Sequence, residues 1–371
     1  MKSKKILIGC FEPPGWGGAS TSAYELFVNM HNDGHKVNYI NLISSGREKF
    51  FKYLFNGSMG NPRHLPNVYN YTLIPPDYNY QNKLADLIQD ISPDIILAVG
   101  WIAALILKKA APDKKLLYLT SGCDQVKNYI QYKRLNDFLY LDKYMKKGGK
   151  RLALISKEEK NAVILSDMVI THSNMILSAY KYFYHTMVGK IYPDVIWFAE
   201  WIYKDAYNYR HFGKRFDERE VDVIFISSDW KRPEKNYKMV KKLVSHFKNL
   251  NIHVVGKVKE KHPGAVYESV VTDREKLYEL LGNSKAIVST SIFDSAPGVL
   301  FEASALGCNI ITSKNCGNWQ LCNEELLVDP FSKAVFRDKI KLSLNKKYPD
   351  NIDFFLQTVS YKKLAEIITL F

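Results

Sequence analysis

The chain has 371 residues, of which 46% are hydrophobic and 24% are charged, with a formal net charge of +14. This composition is that of a globular protein long enough for two domains, and no tract of it is typical of disorder. The positive charge favours phosphate-bearing small molecules, anionic lipid or nucleic acid. Zinc-finger spacing and RNP-like aromatic motifs are absent from the sequence, so we expect no nucleic-acid partner.

Cysteine content and hydropathy indicate the cellular compartment in which we expect the protein. The five cysteines form an odd set without a C-x-x-C pair, which fits reduced thiols better than a disulfide framework or a zinc site. The longest apolar run, residues 95–107, is shorter than the roughly 20 residues that span a bilayer. The run after the basic amino end is too short for a signal peptide. We therefore expect a cytoplasmic protein, and leave association with a membrane surface open.

Apolar strand-like runs alternate with helical periodicity along both halves of the chain. The first series predicts strands at 6–10, 37–42, 94–100, 115–120 and 168–171, and helices at 21–33, at 84–91 and from Trp101. The second series predicts strands at 221–226, 252–255 and 286–290, and helices at 238–249 and 275–281. Nearly all-apolar strands are typical of parallel sheets covered on both faces. The sequence thus predicts two doubly wound α/β domains that bind ligands at the carboxyl ends of their strands.

The domain boundaries follow from these two series. We place the domains at residues 1–195 and 221–350, with an aromatic crossing segment at 196–220 and a helical segment at 351–371. The stretch 56–82 is rich in Pro, Asn, Gly and Tyr and is expected to be a surface loop. Residues 126–151 interleave aromatic and basic side chains, which indicates a partly exposed helix or, alternatively, a helix on a membrane surface.

Two acids eight residues apart, Asp294 and Glu302, stand between two strand-like segments. Ser295 is suited to cap a helix, Pro297 to occupy its first turn and Gly307 to end it. The run between the acids therefore predicts a helix that begins near the end of a strand.

The start of this helix predicts a phosphate site. The amides near Gly298 and Val299 would point at open space, where they and the positive end of the helix dipole attract an anion. Leu300 is counted with them among the donor-binding residues. Glu302 lies one turn beyond Gly298 on the same face, so it would meet a ribose hydroxyl. The arrangement predicts a nucleotide ligand.

The same run resembles the E-x7-E signature of the retaining, two-domain glycosyltransferases of family 4, with Asp294 at the first Glu position. The residues before and after it, 286–293 and 308–317, resemble the family's flanking strands, and 326–330 is similar to its closing element. The resemblance covers essentially the whole chain. It implies the GT-B fold, in which two Rossmann-like domains face each other across a cleft and the last helix packs back on the first domain. It also implies Glu302 on the donor ribose and Asp294 beside the transferred sugar.

A charged loop after the strand at 221–226 holds the other donor-side candidates, Ser228, Lys231, Arg232 and Lys235. A diphosphate leaving group develops negative charge, which a guanidinium and an ammonium would stabilise, so Arg232 and Lys235 are the catalytic candidates. The family pattern has Arg, then Lys five residues later, then Gly or Asn. Lys235 and Asn236 match that pattern, whereas the Arg position falls on Trp230. Either Lys231 or Arg232 takes over the role, or it is missing.

The acceptor or phosphate-loop candidates are Gly17, Gly18, Ser121 and Ser173. The glycine turn at 13–20 resembles the family's glycine loop, and its spacing is not the G-x-G-x-x-G of a dehydrogenase. Ser121 stands where the family has His, and a hydroxyl cannot act as a base near neutral pH. Ser173 lies in a segment that resembles the family's strand ending in Ser at the cleft.

The resemblance therefore predicts a retaining, metal-independent hexosyltransferase without a cofactor. GDP-mannose is the first expected donor and UDP-sugars are second, with a glycan, glycoprotein or glycolipid acceptor. Because Asp294 and Ser121 depart from the family pattern, a nucleotide-sugar-binding protein without transferase activity is one alternative. A basic binder of membranes or other anionic surfaces is another, and a homodimer is left open. The composition resembles glycosyltransferases of large algal viruses, and bacterial surface-polysaccharide enzymes fit nearly as well.

Overall fold

The structure is a computed structural model, and it describes residues 4–11, 13–14, 18–44, 63–73, 81–124, 126, 149–184, 191–192, 196–271, 273–358 and 361–371. The described residues pack into two units: residues 4–124 and 149–192 with 366–371 form unit one, and residues 196–365 form unit two. Gly17, most of the stretch 56–82 and most of the basic stretch 126–151 lie outside the described residues.

Unit one contains a seven-stranded sheet in the order β3-β2-β1-β4-β5-β6-β7, and every pairing in it is parallel. Its strands are β1 Lys5–Phe11, β2 Lys36–Ser44, β3 Val68–Leu73, β4 Ile95–Val99, β5 Lys115–Leu119, β6 Met168–Ile170 and β7 Ile191–Tyr192. Its helices are α1 Gly18–Asn32, α2 Gln81–Ile91, α3 Trp101–Ala110, α4 Gly149–Leu165 and α5 Asn174–Tyr184. All five residues of β4 are buried, because helices cover both faces of a doubly wound sheet.

Unit two contains a six-stranded parallel sheet in the order β10-β9-β8-β11-β12-β13. Its strands are β8 Val221–Asp229, β9 Ile252–Lys257, β10 Val266–Glu268, β11 Ser284–Val288, β12 Asn309–Ser313 and β13 Leu327–Val328. The helices are α6 Ala199–Asn208, α7 Tyr237–His246, α8 Arg274–Gly282, α9 Val299–Ala305, α10 Lys333–Ser343 and α11 Ile352–Thr358. A last helix, α12 Tyr361–Leu370, ends among residues of unit one, where Lys4 Nζ donates to the Ile368 carbonyl at 2.8 Å.

The predicted α/β class with two parallel sheets is confirmed, and the long apolar strands lie within a few residues of their predicted bounds. One expectation was wrong: the described part of the stretch 56–82 is not wholly a loop, because Val68–Leu73 pairs with β2 as an edge strand. The Pro, Asn and Gly residues around this strand favour turns, so the composition of the stretch hid it from the sequence prediction. The segment 196–220 contains helix α6, which belongs to unit two, and its role as a crossing between domains stays a prediction.

Two features of the structure relate to the expected cytoplasmic location: the state of the cysteines and the length of the apolar helices. All five cysteines are buried, and none of them forms a disulfide. Among the described residues, no helix is both long enough and apolar enough to cross a membrane. The cytoplasmic location remains a prediction.

A buried arginine joins the end of α9 to the sheet of unit two. Arg219 is 7% exposed, and its Nε donates to the Lys214 carbonyl at 3.0 Å. Its terminal nitrogens donate to the carbonyls of Ser284, Leu306 and Gly307 at 2.7–2.9 Å. The last two carbonyls follow α9, where a helix leaves acceptors without intrahelical donors. Arg219 therefore satisfies buried acceptors from three parts of the unit at once.

We expect Arg219→Ala to lower the free energy of unfolding by about 2–4 kcal/mol, because it leaves buried carbonyls without a donor. The measurement is chemical denaturation followed by circular dichroism. Arg215→Ala is the control, since the Arg215 side chain is 75% exposed and its ion pair with Asp217 lies in solvent. Equal denaturation midpoints for the two variants would contradict the role given to Arg219.

Candidate functional site

Three neighbouring strands of unit two send their following loops to one edge of the sheet, because β8, β11 and β12 are adjacent and parallel. We call these the edge loops: residues 230–236, 289–298 and 314–318. The first two are joined by hydrogen bonds from Ile292 N to the Glu234 carbonyl and from Thr290 Oγ1 to the Lys235 carbonyl, both 2.8 Å. Asn315 Nδ2 joins the third by donating to the Ile292 carbonyl at 3.0 Å.

The backbone of Asp294 is held on both sides within the edge loops. Its amide donates to the Asn315 carbonyl at 3.1 Å, and its carbonyl accepts from the Gly317 amide at 2.9 Å. Further along the same loop, Asn318 Nδ2 donates to the Pro297 carbonyl at 3.0 Å. The loop before α9 is therefore bound to the loop after β12 at several points, and the Asp294 side chain has a fixed origin.

The Asp294 carboxylate is paired with the Lys235 ammonium, so the structure brings two predicted catalytic residues together. Both side chains are largely buried, at 14% and 15% exposed. Lys235 ends a 3-10 turn, Pro233–Lys235, and the next residue, Asn236, has φ 56° and ψ 48°. Only Gly and, to a lesser degree, Asn adopt this left-handed conformation readily. This explains why a Lys followed by Asn or Gly suits the position.

Trp230 stands at the position where the family pattern has Arg, and Arg232 lies two residues further on. The Arg232 guanidinium is paired with the buried Glu234 carboxylate, with nitrogen–oxygen distances of 2.6 and 2.8 Å. Trp230 is 5% exposed, and its indole nitrogen donates to the Val255 carbonyl at 2.9 Å. The family's arginine position is thus occupied by a core residue. Of the two predicted catalytic cations, Lys235 is the one that contacts Asp294.

The remaining candidates of this loop lie at its surface. Ser228 and Lys231 are both exposed, and the Lys231 amide donates to Asp229 Oδ1 at 2.9 Å. Their side chains are therefore accessible to a ligand from solvent, and their predicted donor contacts remain predictions.

Helix α9 has a different N-cap from the one that the sequence predicts. Helix α9 begins at Val299 with Gly298 as its N-cap, so Ser295 does not cap it. The reason is that the preceding residues stay bound to the neighbouring edge loop, as described for Asp294 and Pro297. Leu300 is fully buried, and its amide donates to the Pro297 carbonyl at 3.2 Å. Among the described residues, no acceptor is recorded for the amides of Gly298 and Val299. Those two amides are what the helix start offers to an anion.

Glu302, on α9, lies partly buried and within electrostatic reach of Arg274 on α8 and Asp205 on α6. Burial raises the pKa of Glu302 to about 7, the positive charge of Arg274 lowers it, and the negative charge of Asp205 raises it. Arg274 Nη1 and Tyr278 Oη both donate to Asp205 Oδ2 at 2.6 Å, and the Arg274 guanidinium lies 5.7 Å from the Trp201 ring centre. Sequence reasoning missed these partners because the segment holding Trp201 and Asp205 was interpreted as a crossing.

The predicted acceptor-side residues of unit one share the carboxyl edge of its sheet. Gly18 begins α1 after β1, Ser121 follows β5, and Ser173 follows β6. The Ser121 hydroxyl lies beside Gly100, where a Cβ would be 3.5 Å away. Ser173 is 4% exposed, and its Oγ accepts from the Ile176 amide at 3.4 Å, so it acts as a cap for α5. Gly18 and Ser121 are thus more available to a ligand than Ser173.

Comparison with known proteins agrees with this geometry. Residues 211–353, which include every edge loop, match the family model of glycosyl transferases group 1. The galactosyltransferase WaaB of the lipopolysaccharide outer core is 12% identical, with a TM-score of 0.66 over 98% of this chain and 99% of that one. HepE of Anabaena, solved with UDP and glucose, is 13% identical, with a TM-score of 0.69 over 99% and 100%. Sucrose-phosphate synthase of Thermosynechococcus elongatus is 14% identical, with a TM-score of 0.67 over 98% and 97%.

At these identities the likeness shows the fold, and no curated protein matches the chain in sequence. The fold is therefore that of the GT-B glycosyltransferases, as the sequence predicted. The family match covers most of unit two and is consistent with a glycosyl transferase.

We expect the stability of the protein to fall as the pH rises from about 4.5 to above 7 through the titration of Glu302. The folded-state pKa of Glu302, about 7, is above the ordinary 4.5. Between these two pH values the folded protein keeps the proton that the unfolded chain has released, so the free energy of unfolding falls as the pH rises. Relative to Glu302→Gln, the wild type should lose roughly 2–3 kcal/mol over this range. Denaturation at several pH values measures the difference. Glu279→Gln, an exposed carboxyl on α8, is the control, and a difference for Glu302→Gln that does not change with pH would contradict the expectation.

Proposed function

We propose that the protein is a retaining hexosyltransferase of the family 4 type, which moves a hexose from a nucleotide-diphosphate sugar to a glycan, glycoprotein or glycolipid. The observation that carries the proposal is the pairing of Lys235 with Asp294 at an edge of the sheet that lies within the glycosyl transferases group 1 match. A cation paired with an acid, in a loop that leads to the amides of Gly298 and Val299, suits a diphosphate joined to a sugar.

The transfer breaks the bond between the sugar's C1 and the β-phosphate oxygen and forms a bond from C1 to the acceptor oxygen. Negative charge appears on the leaving diphosphate, where the Lys235 ammonium stabilises it. The acceptor hydroxyl attacks from the face that the phosphate leaves and gives its proton to that phosphate. No base from Ser121 is then needed, and the configuration at C1 is retained.

Lys235 contributes more to diphosphate binding in this proposal than the helix start does. Helix α9 has seven residues, and an anion at the end of such a dipole gains about 0.3–1 kcal/mol at an exposed site. A hydrogen bond to a charged partner contributes about 1.5–3 kcal/mol. Arg232 is paired with Glu234 as Lys235 is with Asp294, but Glu234 belongs to the same loop as Arg232, whereas Asp294 lies on the loop that leads into α9. Glu302 holds the donor ribose in this proposal, as the family pattern implies.

The donor is proposed at the level of a nucleotide-diphosphate hexose. The family resemblance favours GDP-mannose. The crystal structures of Anabaena HepE with UDP and glucose and with UDP-glucose favour a UDP-sugar, and the name of WaaB, a galactosyltransferase, adds galactose as a candidate hexose. UDP-glucose, UDP-galactose and GDP-mannose are therefore the three donors to compare first.

The reaction is proposed to need neither a metal nor a cofactor, with Lys235 supplying the charge that a divalent cation would otherwise provide. Within the described ranges, no three His, Cys, Asp or Glu side chains come together in a way that would hold a metal ion. Unchanged transfer after treatment with EDTA is the expected result.

Calorimetric titration with the three sugar nucleotides tests the donor site. We expect one of them to bind, and Lys235→Ala to weaken its affinity at least about tenfold because an ammonium–phosphate contact is lost. Lys238→Ala is the matched control, since Lys238 is an exposed lysine three residues further on that contacts neither Asp294 nor Glu302 in the structure. Equal affinities for Lys235→Ala and the wild type would refute the site assignment.

Transfer is tested by incubating the preferred donor with a panel of octyl glycosides and determining the anomeric configuration of the product by NMR. Retention at C1 is expected, and inversion would exclude the mechanism. Binding of the donor without release of nucleotide diphosphate would instead support a sugar-nucleotide-binding protein without transferase activity.

A further inference from the structure

Buried side chains of unit one hold the loop that follows β5, residues 121–124. The proposed function does not use these side chains. We call the loop the β5 loop. It carries Ser121, the predicted acceptor-side residue at the carboxyl edge of the sheet. Since a glycosyl transfer depends on the placement of the acceptor hydroxyl, what fixes this loop bears on the reaction.

Among the described residues, hydrogen bonds from three helices hold the β5 loop. The Asp124 amide donates to Glu159 Oε1 at 3.0 Å. The Tyr180 hydroxyl donates to the Gly122 carbonyl at 3.1 Å. The Trp101 indole nitrogen donates to Asp124 Oδ2 at 2.7 Å. Trp101 begins α3, Glu159 lies on α4 and Tyr180 lies on α5.

Glu159 is a buried carboxylate at the centre of this group. It is 1% exposed, its Oε2 accepts from the Tyr184 hydroxyl, and its Oε1 lies 3.4 Å from the Tyr180 hydroxyl. Tyr180 in turn lies 2.8 Å from the Tyr118 hydroxyl on β5 itself. Burial, followed by the negative charges around it, raises the pKa of Tyr180, so this tyrosine remains a neutral donor. A carboxylate this deep is stable only while such donors surround it.

The β5 loop turns at a glycine and is held on both sides of it. Gly122 has φ 142°, a backbone conformation that L side chains rarely adopt, and both of its sides are tied to the buried group through Tyr180 and Asp124. Cys123 between them is fully buried, with its Sγ 3.9 Å from Glu159 Oε2. The chain is therefore drawn inward at residues 122–124, while Ser121 is left partly exposed at the edge.

We propose that Glu159 and Tyr180 are positioning residues that fix the β5 loop so that Ser121 is presented to the acceptor. The inference rests on the proposed function for the identity of the acceptor side. The fixing of the loop itself is a statement about the fold and is tested without any substrate.

The buried thiol of Cys123 reports on the loop directly. In the full chain, alkylation by iodoacetamide is followed over time and quantified for each cysteine peptide by mass spectrometry. A buried thiol reacts only when its segment opens, so its rate measures the local opening equilibrium. We expect Tyr180→Phe and Glu159→Gln each to increase the alkylation rate of Cys123 about tenfold, which corresponds to the loss of one buried hydrogen bond.

Two controls separate the loop from the rest of the unit. Cys10 on β1 is 2% exposed and lies in the same unit, so its alkylation rate should stay at the wild-type value in both variants. Tyr39→Phe removes another fully buried tyrosine hydroxyl, one that has no hydrogen-bond partner among the described residues. It should leave the rate of Cys123 unchanged.

The Glu159→Gln variant requires one precaution. A change of the carboxyl group beside a thiol can also change the thiolate fraction and hence the reactivity. Tyr180→Phe keeps that carboxyl group, so an increase in this variant reports opening alone. If Cys123 stays protected in Tyr180→Phe, or if Cys10 is alkylated faster to the same extent, the positioning role is refuted.

Kinetics then connect the loop to the acceptor. Both variants should bind the preferred sugar nucleotide with the wild-type Kd, since the donor candidates lie in unit two. They should raise the KM for the octyl glycoside acceptor or lower kcat about tenfold. If the wild type itself transfers no sugar, the proposed function fails, while the alkylation result still decides whether Glu159 and Tyr180 fix the loop. An opened loop with unchanged transfer kinetics would overturn the acceptor role.

Discussion

The candidate donor site depends on the hydrogen bonds that join three loops at the carboxyl edge of the second sheet. A parallel sheet sends the loops of neighbouring strands to the same edge, but it does not by itself fix them against one another. Here the carbonyls of Glu234 and Lys235 accept from Ile292 and Thr290, and the Asp294 backbone is held through Asn315. The ion pair between Lys235 and Asp294 is a consequence, because both side chains start from restrained backbone positions.

The two units hold their edge loops by different means. In unit two the connections are mainly backbone groups and asparagine amides, which carry no net charge. In unit one the β5 loop is held by the buried carboxyl group of Glu159 and by tyrosine hydroxyls. The loss of one of these hydrogen bonds is costly because its partner stays buried without a replacement.

The two acids of the E-x7-E-like run lie in contrasting environments, although they are only eight residues apart. Asp294 is paired with a cation at the edge of the sheet. Glu302 lies on α9, where burial raises its pKa to about 7, despite the opposing effect of Arg274 on α8. A carboxyl that is close to half ionised at neutral pH responds to a ligand that donates hydrogen bonds, because such donors favour the charged form. The environment of Glu302 thus couples ribose binding, as proposed, to pH.

The sequence by itself determined the α/β class, the positions of the core strands along the chain, and the Lys-Asn turn and the acid run as two candidate segments of the site. These features are local: continuous apolar runs, glycine and asparagine at turns, and fixed spacing between acids report directly on backbone conformation. Only the tertiary structure decided that Ser295 would not cap α9, that Arg232 would be held by Glu234, and that Trp201 and Asp205 would lie near Glu302. Those outcomes depend on contacts between segments far apart in the chain, whose free energies exceed the local preference for a cap or an open charged loop, and a single sequence does not reveal which distant partner each side chain will meet.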